Sequence, residues 1–524
     1  MFLMEKLSFD WRFYVLPVIV GALSGLGAVV FRQLISLVQN LFFKGTFAFS
    51  YDEAIHIIDP AFLVILVPVV GFAIVGILVF KGAPETQGHG VPEVLTSVYI
   101  NKGRIRARVA AIKTVASALT IGSGGSSGRE GPIVQIGASI GSVLGQRLNL
   151  TAVETTTLLG CGAAAGIAST FNAPLGGILF AIELIIPEFS VRTMVPLALS
   201  TSTGTYLSRL FLGNEPAFRL PEYALNSGYE LILYILLGVF IGIGAIIYIH
   251  VLYKFEDFFE QWNVNKYLKP VVGGLIMGLS GYLMLTFFGE YYIFGVGYPT
   301  ISSVLSGGQG FTILLLLLLA FMKIFATSVT LGCGGSGGIF APALFIGTCF
   351  GAAFGIASSF FFPELVATPS AYANVGMGAF VGGITGAPLM AIIMFFEMTR
   401  NYAIILPLTI SVVIARAFVH YNYEGTIYEL KLLRNGIKIP HERAIDTLSI
   451  VPIKDIMDKY NDEQGLPEVY HYAPVLDALM IMDERRVNEL IVVDKSRTPI
   501  GVIRKDDIIY FYTRERANTR RLLD

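Results

Sequence analysis

Hydrophobic positions along the chain run in long stretches with few polar breaks, unlike the alternation of elements that keep one wet face. The runs 14–39, 61–80, 229–253, 270–288 and 311–331 are each long enough for a helix to cross a bilayer. A second set, 132–148, 174–187, 340–360 and 386–398, is shorter, punctuated by glycine and opened by proline. A helix that begins midway through a membrane must satisfy its first N–H groups in a protein-lined or water-lined cavity. These segments therefore predict broken helices around a pathway, as in transporters and channels.

The pattern also repeats. GREGPIVQIGASIGSVLG (128–145) matches GIFAPALFIGTCFGAAFG (338–355) at an offset of 210, which aligns Pro132 with Pro342 and Gly137, Gly141 and Gly145 with Gly347, Gly351 and Gly355. GHGVP (88–92) matches GVGYP (295–299) at 207, and NAPLGGILFAIE (172–183) matches GAPLMAIIMFFE (386–397) at 214. Three motifs in one order at nearly constant spacing predict two structural repeats, inverted, with a site where they meet.

Composition sharpens the division of the chain. Of its 37 basic and 38 acidic residues, 34 fall in the last 104 positions and only 41 in the first 420. A membrane domain over 1–430, a linker over 431–446 and a soluble module over 447–524 follow. The net charge of −1 gives no reason to expect nucleic acid as a partner, and RERANTRR (514–521) reads as a solvated helix end. Cys161, Cys333 and Cys349 sit in apolar, glycine-rich surroundings without metal-ligand spacing, as packing residues do. The N-terminal apolar stretch is too long for a secretory signal and reads as the first membrane helix.

Against this background the adjacent Arg129 and Glu130 stand out, because ionisable residues at membrane depth are functional by default. Proline in the first helical turn forfeits no hydrogen bond, and the glycines before it let backbone approach a ligand. Helices starting at GHGVP, GREGP and GIFAP would aim bare amides and positive dipole ends at the repeat interface. The expected anion contacts are His89 and Gly90 from the first, Gly128, Arg129 and Gly131 from the second, and Gly338, Ile339, Phe340 and Ala341 from the third. Phe340 is expected to line the path with an apolar ring. Glu130 is an anion tethered beside that site, able to occupy it when ionised and leave it when protonated.

GHGVP, GREGP, GIFAP and Tyr428 in GTIYEL, in this order, resemble the CLC family of chloride channels and transporters, over about residues 12–430. The resemblance implies an all-α polytopic membrane protein of two inverted repeats with broken helices. It also implies a homodimer with one anion pathway per subunit, both termini cytoplasmic, Glu130 as the external gating glutamate and Tyr428 as hydroxyl donor to a central chloride. RIRAR (104–108) suits a cytoplasmic loop, and the plasma (inner) membrane is the expected location. Two positions depart from the family. His89 replaces the serine of chloride-selective members, and aligning Pro187 with the family's proline puts Leu184 where proton-coupled members keep an inner glutamate. Leucine carries no proton, so passive chloride conduction is the expectation. The alternative is proton-coupled exchange by an unconventional inner route using Glu183, Glu188 or water. Glu183 and Glu397, at equivalent repeat positions, suit helix capping.

LSIVPIKDIM (448–457), APVLDALMIMDE (473–484), ELIVVD (489–494) and PIGVIRKDDII (499–509) read as strand or loop, helix, strand, and strand with helix. This small α/β pattern resembles one cystathionine-β-synthase (CBS) module. Of the nucleotide signature only Asp507 remains, with Arg504 at the hydroxyl position, which argues against an adenine nucleotide and for a dimerisation role. No cofactor or metal is expected beyond bound chloride. GGSSG also admits a remote second reading, an intramembrane hydrolase with Ser126 or Ser127 as nucleophile and a histidine base. A phosphate loop is a weaker reading still, because GSGGSSGRE lacks the Gly-Lys-Ser/Thr ending.

Overall fold

In a bilayer the backbone must satisfy its own hydrogen bonds, and the apolar runs do so as helices. The computed structural model describes residues 11–50, 55–186, 190–218, 225, 227–308, 310–366, 368–423, 425–437, 451–459 and 466–523. The chain divides into two compact units, Met1–Ile439 and Pro440–Asp524. In the first unit the helices are α1 (Trp11–Lys44), α2 (Leu66–Gly82), α3 (Val91–Tyr99), α4 (Arg108–Gly122), α5 (Glu130–Arg147), α6 (Ala152–Phe171), α7 (Pro174–Phe180) and α8 (Val191–Leu212). The series then recurs as α9 (Glu230–Gln261), α10 (Leu268–Phe288), α11 (Tyr298–Leu305), α12 (Ile313–Gly332), α13 (Phe340–Phe361), α14 (Pro369–Thr385), α15 (Pro388–Thr399) and α16 (Ile405–Asn422). A short α17 (Glu429–Arg434) follows.

Among the described residues seven helices are long and apolar enough to cross a membrane. The helices α6, α8, α14 and α16 were not among the predicted runs; α6 and α14 are built largely of small residues that lower hydropathy while suiting close packing. The predicted run 174–187 is helical only to Phe180 and continues as a π turn, Ala181–Ile185. Pro187 and Glu188, most of the linker and residues 448–450 lie outside the described residues.

Contacts repeat as the sequence does: α5 packs on α6 as α13 on α14, and α1 on α8 as α9 on α16. Glycine sets these distances. A Cβ on Gly137 would land on the carbonyl of Gly162, and one on Gly162 on the carbonyl of Gly137. The halves are joined by α2 on α10 and α7 on α15. The Glu183 carboxylate accepts from the Leu389 and Met390 amides (3.2 and 2.6 Å) at the start of α15, and Glu397 accepts from Leu175 and Gly176 (3.2 and 2.7 Å) at the start of α7. Each repeat thus caps a helix of the other, where an anion also complements the dipole. At the centre Gly128 and Gly338 pair antiparallel, as equivalent segments of an inverted repeat must.

The second unit is a sheet ordered β1-β4-β3-β2, with β1 Asp458–Lys459, β2 Glu468–Tyr470, β3 Glu489–Val493 and β4 Pro499–Arg504. The parallel pair β2 and β3 requires a crossover, supplied by the helix Val475–Arg485. Val469, Ala478, Met482, Val492 and Ile503 are part of its core. Arg504 donates to Glu489 (3.1 Å) and Asp458 (3.0 Å), while Asp507 opens the last helix, Lys505–Leu523.

Candidate functional site

Three broken helices meet at one carboxylate. Glu130, 1% exposed, is the first residue of α5. Its Oε1 accepts from the Tyr298 hydroxyl (2.8 Å), at the first position of α11, and its Oε2 accepts from the Ala341 amide (3.2 Å), in the first turn of α13. At Ala341 the carboxylate holds a backbone donor of the kind an anion can use. Glycine is required beside it, since a Cβ on Gly128 would fall on the Glu130 carboxylate and 2.9 Å from the Ala341 nitrogen. The chain turns into α3 and α11 at Gly90 (φ 79°) and Gly297 (φ 87°), left-handed positions that suit glycine.

One expectation is corrected here. The Gly128 and Gly338 amides are not bare, because each donates to the other's carbonyl at 2.7 Å. The antiparallel bridge that joins the repeats consumes them, whereas the Ala341 amide, the second residue of α13, donates to the Glu130 carboxylate. Gly131 packs closely against the Gly338 backbone and the His89 carbonyl. Ile339 and Phe340 are buried, and the Phe340 ring centroid lies 5.3 Å from that of Phe171.

On one side of Glu130 lies a cavity of about 270 Å³ lined by Arg32, Gln39, Arg129, Glu290 and Tyr298 among others. The Arg129 guanidinium stands 5.1 Å over the Tyr298 ring, a cation–π contact at the mouth. His89 and Tyr428 form a second group. His89 is fully buried, both ring nitrogens lack a hydrogen-bond partner in the protein, and Glu256 Oε1 lies 3.9 Å from Nε2. The Tyr428 ring, 2% exposed, is 6.1 Å from the imidazole, and its loop is held by Tyr253, whose hydroxyl donates to the Ile427 carbonyl at 2.6 Å.

Several residues of this site escaped the sequence reading. Tyr298, within GVGYP, carries no mark in the sequence of its contact with Glu130. Lys113 and Lys323, fully buried and 210 residues apart, each hold a re-entrant loop. Lys113 Nζ donates to the carbonyls of Thr86 (3.0 Å) and Gly88 (2.8 Å), and Lys323 Nζ to those of Ile293 (3.1 Å) and Gly295 (2.9 Å). Two lysines at the repeat offset inside apolar helices were the available signal. The Ser126 hydroxyl pairs with Thr327 (3.1 Å), while Ser127 Oγ and both nitrogens of His89 have no partner, so that histidine is not paired with either serine. Leu184 packs half-buried in the π turn after α7.

Comparison with known proteins agrees with this geometry. The voltage-gated chloride channel family pattern matches residues 70–420, and the CBS domain pattern matches residues 453–514. An H⁺/Cl⁻ exchange transporter, ClcA of Citrobacter koseri, is 34% identical over 431 residues, 81% of this chain and 89% of its own. A ClcB-like protein of Ralstonia nicotianae is 30% identical over 375 residues, 71% of this chain and 86% of its own. The crystal structure of a slow cyanobacterial Cl⁻/H⁺ antiporter superposes with a TM-score of 0.72 at 27% identity, covering 81% of this chain and 98% of that one. Family match, helix order and the convergence of broken helices on Glu130 lead to one conclusion: this chain is a membrane-embedded anion-transport protein of the CLC family carrying a C-terminal CBS domain.

Proposed function

We propose that the chain exchanges chloride for protons across the membrane, with Glu130 as the group that serves both ions. The observation carrying this reading is the seat of the Glu130 carboxylate on the Ala341 amide and the Tyr298 hydroxyl. Ionised, it fills a place built for an anion; protonated, it loses its charge and yields the place to chloride. Chloride then meets the remaining donors, with His89 and Tyr428 on the inner side and the amides of Gly90, Gly131, Ile339, Phe340 and Ala341 around it. The relatives named as H⁺/Cl⁻ exchangers support exchange over the passive conduction that Leu184 suggested. Conduction remains as the second reading, favoured by the apolar side chain at that position.

A homodimer in the plasma (inner) membrane, with both termini cytoplasmic and a complete pathway in each subunit, belongs to the same reading. The CBS domain is assigned a dimerisation role, because Arg504 is committed to Glu489 and Asp458 where a nucleotide-binding hydroxyl would be expected. The test is a chloride gradient imposed on proteoliposomes while internal pH is followed. Exchange predicts uphill proton movement in the wild type and none in Glu130→Gln, whose chloride flux also becomes insensitive to external pH. Chloride flux without proton movement in the wild type would select the passive pathway.

A further inference from the structure

Exchange needs an inner route for protons, and Leu184 offers no titratable group to it. The described carboxylates of that side differ in availability. Glu183 is committed to two amides of α15. Glu85 is held by Arg106, whose Nε donates to it at 2.6 Å. Glu93 lines a separate cavity of about 400 Å³ with Gln135 and Arg104. Glu256, on the last turns of α9, combines water access with proximity to His89. Its side chain is 19% exposed, so water reaches it, and its Oε1 is 3.9 Å from Nε2 of the fully buried His89. That separation is just beyond hydrogen-bond length, and both imidazole nitrogens are unpartnered.

We propose that Glu256 and His89 form the inner half of the proton path, with Glu256 in the part of the carboxylate missing at Leu184. The assignment rests on the exchange reading. In the inward-to-outward direction, Glu256 takes a proton from inner water, its O–H bond breaks as an N–H bond forms at His89 Nε2, and the Nδ1 proton leaves for the Glu130 carboxylate through pathway water and the Tyr428 hydroxyl. The ring ends neutral and turns over before the next proton. The Tyr428 ring centroid lies 6.1 Å from that of the imidazole, and Glu130 acts electrostatically on its hydroxyl. The charges facing His89 are Glu256, Lys431 and Lys113; those facing Glu256 are Lys431, Arg434, Asp257 and Glu260. Arg434 pairs with Asp257, fixing the end of α9 against α17 and with it the position of Glu256.

The test measures proton and chloride flux together in proteoliposomes of the full chain. The proton-to-chloride ratio is expected to fall at least about tenfold in Glu256→Gln, the scale of losing a positioned acid. Glu256→Asp, which keeps the acid, is expected to retain coupling at a slower proton rate. An unchanged ratio in Glu256→Gln, or equal loss of coupling in both variants, would overturn the assignment while leaving exchange intact. Absence of uphill proton movement in the wild type would overturn exchange and this inference with it.

Discussion

The behaviour of Glu130 follows from what holds it. The Tyr298 hydroxyl is a neutral donor to a buried carboxylate, and hydrogen bonds to charged groups are worth about 1.5–3 kcal/mol. Removing it weakens the carboxylate's claim on the anion place while leaving the Ala341 amide for chloride. Tyr298→Phe is therefore expected to raise apparent chloride affinity by roughly tenfold, the equivalent of about 1.4 kcal/mol, in isothermal titration. An unchanged affinity would show that the hydroxyl does not hold Glu130 against chloride. Tyr298 also explains why the second GxG motif differs from the first: His89 stands before the helix-opening glycine of one loop, and Tyr298 follows that of the other.

At the scale of elements, the re-entrant loops need an internal anchor because their carbonyls lie where water is scarce. Lys113 and Lys323 supply it by the same geometry in both repeats. A buried ammonium is costly in isolation, and here carbonyl oxygens offset the lost hydration. Lys323→Met would leave the Ile293 and Gly295 carbonyls without this donor, so a loss of about 2 kcal/mol is expected, read as a lower denaturant midpoint in detergent. A midpoint equal to the wild type would mean that the loop is held by its other contacts. The reciprocal caps of Glu183 and Glu397 are a second such device.

For the whole molecule, one chain supplies both the Tyr298 hydroxyl and the Ala341 amide that hold Glu130. Subunits of the proposed dimer are then expected to work independently. A tandem of one wild-type and one Glu130→Gln chain is expected to keep roughly half the proton flux of a wild-type tandem, as independent sites add. Complete loss of proton flux in the mixed tandem would show instead that the two pathways are coupled.

The sequence by itself determined the membrane character, the twofold repeat and the broken helices, because each is written in hydropathy, glycine and proline at fixed spacing. It also singled out Glu130, since one carboxylate between apolar runs is conspicuous without coordinates. It placed the helix and last two strands of the CBS domain, whose amphipathic pattern and short apolar runs are local. Tertiary structure alone decided which amides stay available: Gly128 and Gly338, alike in sequence to any other glycine before a helix, spend theirs on each other across 210 residues. Only the fold brings Tyr298 to Glu130 and Glu256 to His89, separated by 168 and 167 positions along the chain. A hydrogen bond depends on direction and a few tenths of an ångström, and neither is encoded locally. The partners that hold Glu130 therefore became visible only when the two repeats closed around one another.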